Sequence, residues 1–285
     1  ALDLNGDGIA TQGADGQVLF DHNGDGVKRG TGWINGDDGL LVRDLNGNGQ
    51  IDDGSELFGD NTELANGEQA EEGFEALAEL DSNGDGVVDA NDANFSQLQI
   101  WQDQDGDGQT DAGELLSLEE AGVASIATDA DLEREELENG NAIVGEGSFT
   151  RTDGTTGEMT DFDFAENGFF REFTDEVEIP ESVRDLPGMK GSGAVRDLHE
   201  AAAQDSKLAS ALEDYSAAAT RDERLAQLDG LIDAWAETAE VVSVVNRIEY
   251  VTKADKNRTK MHPYHKFPRH TVLSENISQR RVASP

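Results

Sequence analysis

The chemistry written into this chain lies in short oxygen-bearing side chains at alternating positions. Five segments begin with Asp, carry Asn or Asp at the third and fifth positions and place Gly at the sixth; they start at Asp3, Asp21, Asp44, Asp81 and Asp103. Carboxylate and amide oxygens at positions 1, 3 and 5 fall on one side of a tight turn, and the sixth-position Gly gives the backbone the freedom to make that turn. Hard oxygens in this order suit a hard divalent cation, so the expected cofactor is Ca²⁺, bound as part of folding.

A complete calcium loop adds a backbone carbonyl at position 7, an oxygen at 9, an acid at 12, and an apolar residue at 8 that pairs with a neighbouring loop. The fourth and fifth segments come nearest. One supplies Asp103, Asp105, Asp107, the Gln109 carbonyl, Asp111 and Glu114, with Thr110 at position 8. The other supplies Asp81, Asn83, Asp85, the Val87 carbonyl, Asp89 and Asp92, whose side chain is a methylene shorter than Glu. From Asp44 come Asn46, Asn48, the Gln50 carbonyl and Asp52, but Ser55 stands at position 12 and Glu56 arrives one residue late. Asp21, Asn23, Asp25 and the Val27 carbonyl lead to Gly32 at position 12, so Asp37 or Asp38 would have to close that sphere from a distance. Asp3, Asn5, Asp7 and the Ile9 carbonyl lead to Ala14, with Asp15 the nearest acid. For the last two, a metal-free Asx-turn is the competing reading.

The elements that hold these loops must be short. Residues 1–65 read as brief strands and Gly-rich turns. Phe74, Leu77 and Leu80 mark a helix ending at Asp81, with further short helices over Phe95–Trp101 and Leu115–Ala121. The loops at 81 and 103 begin too close together for two helices between them, so one shared helix is expected to serve both. A strand over Val123–Thr128 and a hairpin of 147–152 with 158–164 follow, turning at Asp153-Gly154. The expected fold class is therefore α+β: EF-hand-like calcium loops with short helices and β-hairpins, then a small helical region. The expected division is a calcium module over 1–180, a linker over 181–193 and a helical region over 194–245 with Leu225, Leu228, Leu231, Ile232 and Trp235 as its core stripe. A basic tail without regular order is expected over 246–285. Trp33 and Trp101 are expected in the core, and His22 facing solvent.

Composition sets the energetic problem. The 285 residues carry a formal net charge of −40 and no cysteine. Residues 1–150 hold 36 acids against 4 Lys/Arg. Such a segment repels itself until cations neutralise it, and a nucleic-acid partner is excluded for want of a basic face. Disulfides cannot staple the chain, no apolar run reaches membrane-spanning length, and no basic-then-apolar signal peptide opens it. Secretion to the extracellular space or cell surface would then use a route without a cleaved N-terminal signal in this chain. Only 3 Met in the chain argue against a calcium sensor that opens a Met-rich groove.

The strings "LFDHNGDGVKRGTGW" over 19–33, "DDGLLVRDLNGNGQIDDGSELFGDNT" over 37–62, "GFEALAELDSNGDGVVDANDANFSQLQIWQDQDGDG" over 73–108, "GSFTRTDGTTG" over 147–157 and "GSGAVRDLHEAA" over 191–202 carry a resemblance. With them the chain, over about residues 1–245, resembles the calcium-dependent self-processing modules of large secreted RTX-type, iron-regulated bacterial proteins. The resemblance implies that calcium-induced folding promotes cleavage of an Asp-Pro bond just upstream. The released aspartyl end is then joined to a lysine amine as an isopeptide, in the same or another protein. No Asp-Pro occurs here, since the five Pro follow Ile179, Leu186, His262, Phe267 and Ser284; the family pattern puts the scissile Asp about three residues before Ala1. The implied partners are calcium ions, the upstream segment of the same parent and lysine-bearing proteins. The rival reading is a calcium-rigidified structural or adhesive spacer with no chemistry.

Overall fold

Alternating apolar residues and closely spaced turns make residues 1–173 a β structure. The computed structural model describes the backbone of residues 1–257 and the side chains of residues 1–239. Its strands are β1 (Thr11–Gln12), β2 (Leu19–Phe20), β3 (Val27–Thr31), β4 (Trp33–Ile34), β5 (Leu40–Val42), β6 (Val87–Asp89), β7 (Gln99–Trp101), β8 (Leu115–Ser117), β9 (Val123–Ala127), β10 (Glu135–Glu136), β11 (Ala142–Arg151), β12 (Thr156–Asp163) and β13 (Glu166–Phe173). They form antiparallel sheets ordered β1-β4, β13-β3-β2, β5-β7-β8 and β10-β11-β9-β6, with β12 also on β11. The helices are α1 (Gly73–Ala78), α2 (Glu181–Arg184), α3 (Leu198–Gln204), α4 (Ser206–Ala217) and α5 (Arg221–Asn257).

This architecture corrects the expected fold class: the protein is mainly β with a C-terminal helical part, and its acidic loops are not framed by EF-hand helices. The segment Phe95–Trp101 is one 3₁₀ turn, Phe95–Gln97, followed by β7, and Leu115–Ala121 is β8 followed by a turn. No helix is shared between the loops at 81 and 103. Short apolar runs do not reveal their period, and here pairing decided it. Leu40, Leu41 and Val42 stand opposite Trp101, Ile100 and Gln99, which stand opposite Leu115, Leu116 and Ser117 on the other side. The β11–β12 hairpin occupies the expected place, with Phe149 opposite Gly157.

Two apolar clusters back the sheets. Leu2, Leu41, Phe74, Leu77, Val88, Ile100, Ile126, Phe149 and Met159 belong to one. Val18, Phe20, Trp33, Ile34, Val42, Ile51 and Trp101 belong to the other, with Phe162 and Phe164 stacked at its margin. Contrary to expectation His22 is packed here, against Phe20, Trp33 and Phe164, with Nε2 2.8 Å from Thr31 Oγ1. Burial lowers its pKa to about 4.

The helical part has its own core of Val183, Leu198, Leu208, Leu212, Leu231 and Ala234. Asp205 starts α4 by accepting the Leu208 N–H at 2.8 Å. The expected stripe on α5 is narrower than read: Leu231 is buried, but Leu225 and Ile232 are about half exposed. The inward face instead runs through Leu231, Ala234 and Trp235, whose indole N–H donates to Arg196 O at 2.9 Å. α2 falls within the stretch read as linker. Of the tail expected to lack regular order, residues 246–257 instead continue α5, and the rest, from residue 258, lies outside the described residues. Among the described residues no helix is long and apolar enough to cross a membrane.

Candidate metal centre

Four of the five acidic segments adopt one local geometry, and the one from Asp21 a close variant, because the position-1 carboxylate folds back over its own turn. Asp103 accepts the N–H of Gly106 (2.8 Å) and of Gly108 (2.9 Å). Asp81 takes Gly84 and Gly86 at 2.7 and 2.8 Å, Asp44 takes Gly47 and Gly49 at 2.6 and 2.8 Å, and Asp3 takes Gly6 and Gly8 at 2.7 and 3.2 Å. Asp21 takes Asp25 and Gly26 at 3.2 and 2.8 Å. The turn needs left-handed backbone at positions 4 and 6, and Gly106 and Gly108 supply it at φ +69° and +74°. The Gly at position 4, which the repeat also carries, is thus a structural requirement like the one at position 6.

A second acid closes three of the loops in a common way. Glu114 accepts the position-2 N–H of Gln104 on one oxygen and the position-9 N–H of Asp111 on the other, both at 2.9 Å. Asp92 does the same with Ser82 at 2.8 Å and Asp89 at 2.9 Å, so the shorter side chain still spans its loop. Glu56 takes Leu45 at 2.9 Å and Asp52 at 2.8 Å. Its late arrival is absorbed by the 3₁₀ turn Gly54–Glu56, which brings position 13 to where position 12 sits elsewhere. In this loop Asp52 also receives the side-chain amides of Asn46 (2.8 Å) and Asn48 (2.7 Å).

The loop from Asp103 is the most assembled. Carboxylate oxygens of Asp103, Asp105 and Glu114, positions 1, 3 and 12, lie within 4.8 Å of one another, as hard-cation coordination requires. Two buried indoles position the set: Trp33 Nε1 donates to Asp103 at 2.8 Å, and Trp101 Nε1 to Glu114 at 3.4 Å. Both Trp are core residues as expected, and a buried indole N–H needs an acceptor, which is the signal that could have linked them to the site. Burial pushes the Asp103 carboxyl up, against the N–H donors of Gly108, Gly106, Asp107 and Trp33. Asp107 holds the Gln109 backbone N–H at 2.8 Å.

Loop pairing differs from expectation. The loop at 44 follows β5 and the loop at 103 follows β7, its antiparallel neighbour, so the two leave opposite ends of that strand pair. Their position-8 residues meet: the Ile51 N–H donates to Thr110 Oγ1 at 3.0 Å. Thr110 therefore serves as the acceptor for the adjoining loop, which accounts for a hydroxyl where an apolar residue was expected. Val87 and Asp89, of the loop at 81, lie in β6 and pair with Ala127 and Ser125 of β9.

The loop from Asp21 carries its own cation. Arg29, at position 9, donates from Nη1 to Asn23 Oδ1 (3.4 Å), Asp25 Oδ1 (3.0 Å) and Val27 O (3.1 Å), and from Nη2 to Asp25 Oδ2 (2.7 Å). The oxygens of positions 3, 5 and 7, read as calcium ligands, thus face a guanidinium. Against the effect of burial, Arg29 holds the Asp25 carboxyl below its usual range. Neither Asp37 nor Asp38 closes this loop; both turn to the loop at Asp3. Removing a half-buried partner strands a carboxylate, so Arg29→Met is expected to cost about 2 kcal/mol in chelator. Urea titration checks this, and an unchanged midpoint would show the guanidinium to be dispensable.

The comparisons agree with the sequence resemblance. A family model described as the SPM domain matches residues 1–165, more than half of the chain. The iron-regulated protein FrpA of Neisseria meningitidis serogroup C is 50% identical over 240 residues, covering 84% of this chain and 22% of that relative. The chain thus spans about a fifth of the length of this curated relative.

Proposed function

The chain belongs to the SPM domain family, and from that premise we propose that it is a calcium-folded module that promotes cleavage of an Asp-Pro bond upstream of Ala1 in a secreted RTX-type parent. The observation that carries the calcium half is the convergence of Asp103, Asp105 and Glu114, with the same closing geometry repeated around Asp44 and Asp81. Those residues would hold Ca²⁺, which supplies positive charge to a crowded acidic half and locks the loops.

The route from loops to chemistry is β5. Its far end leads into the loop at Asp44, and the residue before it, Gly39, pairs with Leu2 through N–H···O bonds of 2.7 and 3.2 Å. Ala1 and Asp3 are tied to β12 by Thr160 N–H to Ala1 O (2.9 Å) and Asp3 N–H to Glu158 O (3.0 Å). Residues entering ahead of Ala1 would emerge beside a cavity of about 580 Å³ lined by Asp60, Glu72, Phe74 and Asp161. There the side-chain carboxylate of an upstream Asp attacks its own main-chain carbonyl carbon, forming a five-membered anhydride. The bond to the proline nitrogen breaks, and that nitrogen takes up a proton and leaves as an amine. Water opens the anhydride to give hydrolysis; a lysine amine opens it to give an isopeptide. Fixing the chain on both sides of Leu2 supplies the proximity such a closure needs.

The test extends the chain with Asp-Pro-Leu before Ala1. Incubation with millimolar calcium should give a new fragment ending in Asp by mass spectrometry, and chelator should prevent it. A chain that gains thermal stability with calcium but stays whole would replace this reading with that of a rigid spacer.

A further inference from the structure

We propose that Asp38 completes a separate divalent-cation site with Asp3, Asn5 and Asp7, joining the opening loop to a residue 35 positions after its first ligand. In this loop the acid that closes the turn was not found within the loop's own sequence. Asp15, the nearest, is spent on the backbone N–H of Gln17 at 3.0 Å. Asp38 takes its place: Oδ1 accepts the position-2 N–H of Leu4 at 3.3 Å, the bond that Glu114, Asp92 and Glu56 make in their loops. Its neighbour Asp37 holds the Asn5 side-chain amide at 3.0 Å.

The difference lies in the other oxygen. Glu114, Asp92 and Glu56 each give it to the position-9 N–H, but position 9 here is Thr11, which belongs to β1 and pairs with Ile34. Asp38 Oδ2 is left as the one buried side-chain oxygen without a hydrogen-bond partner among the described residues. Asp38 is only 1% exposed, so water cannot take that role freely. An unpaired buried carboxylate oxygen is costly unless something positive reaches it. No lysine or arginine among the described residues forms an ion pair with Asp3, Asp7, Asp37 or Asp38. The nearby Arg151 guanidinium is committed to the carbonyls of Asp3 (2.5 Å) and Leu4 (2.7 Å). Loop 21 meets the same electrostatic demand with Arg29; the opening loop has oxygens only.

An oxygen set of two or more carboxylates and an amide fits a hard cation of calcium's size. The identity of the ion rests on the calcium reading of the other loops, whereas the site itself rests on the orphaned oxygen. Occupancy would tie Asp3–Leu4 to the turn that leads through Gly39 into β5, the same stretch that fixes Leu2.

The experiment counts calcium ions bound by the full chain, after chelation and back-titration, by isothermal titration calorimetry. Asp38→Asn and Asp7→Asn should each lower the number by one, and the double variant also by one. Asp105→Ala should remove a different ion, so that its combination with Asp7→Asn loses two. Asp7 is exposed, so Asp7→Asn answers the question even where Asp38→Asn does not fold. An unchanged ion count in Asp7→Asn, with one ion lost in Asp105→Ala, would overturn this site and leave the loop at 103 standing. A wild-type chain that binds no calcium would overturn both.

Discussion

Withdrawing calcium is expected to lower the melting temperature of this chain by roughly 15 °C, since three loops bound at millimolar calcium contribute about 1–3 kcal/mol each and a domain this size shifts about 2–4 °C per kcal/mol. The loops at Asp44, Asp81 and Asp103 set that figure, because each has both its opening and its closing acid in place. Hydrogen bonds alone would not make a bound ion redundant. They satisfy lone pairs, yet they leave the excess of 36 acids over 4 Lys/Arg in residues 1–150 unneutralised. Calorimetry in excess calcium and in excess chelator measures the difference. Two controls separate the causes. Raising salt in chelator screens diffuse repulsion and should recover only part of the loss. Magnesium, which demands near-ideal octahedral geometry and keeps its waters, should recover less than calcium. Melting temperatures that coincide in calcium and chelator would mean that the backbone N–H groups are the only partners these carboxylates need.

The acidic turns were legible in the sequence because their geometry is local. A carboxylate that accepts N–H groups three and five residues on depends on spacing alone, and the same spacing recurs at Asp3, Asp44, Asp81 and Asp103. The β11–β12 hairpin was legible for a similar reason, Asp153-Gly154 lying between alternating segments with Gly154 at φ +85°. What closes each loop was not local. Asp38 reaches the opening loop only because Gly39 pairs with Leu2, and Glu56 substitutes for position 12 only because a 3₁₀ turn shortens the path. Arg29 could have been noticed as a base at position 9, but its meaning lies in how its side chain curls over Asn23 and Asp25. The helices expected around the loop at 103 failed for an energetic reason. Ile100 and Trp101 bury more by joining β5 and β8 than an isolated turn of helix could, and short helices have little stability of their own.

Glu114 and Asp105 should separate what the metal does from what the fold does. Asp105 is exposed and its carboxylate accepts no hydrogen bond among the described residues, so Asp105→Ala removes a ligand and nothing else. Its melting temperature in chelator is expected to match the wild type, while calcium affinity at this loop falls. Glu114→Ala does more, because the Gln104 and Asp111 N–H groups and the Trp101 indole lose their acceptor. Leaving such donors unmet in a buried place is expected to cost about 2–4 kcal/mol even in chelator. Glu114→Gln falls between, since one amide oxygen remains but the NH₂ faces a donor. Trp101 emission reports the same event from inside the site, and its response to calcium should vanish in Glu114→Ala. Equal behaviour of Asp105→Ala and Glu114→Ala in chelator would mean that Glu114 acts only through the ion. In the chain extended with Asp-Pro-Leu, the two variants then divide the mechanism. Excess calcium should restore scission in Asp105→Ala, where β7 is undisturbed. It should fail to do so in Glu114→Ala, where the end of β7 that carries Trp101 has lost its anchor, and with it the support that β5 passes to Leu2.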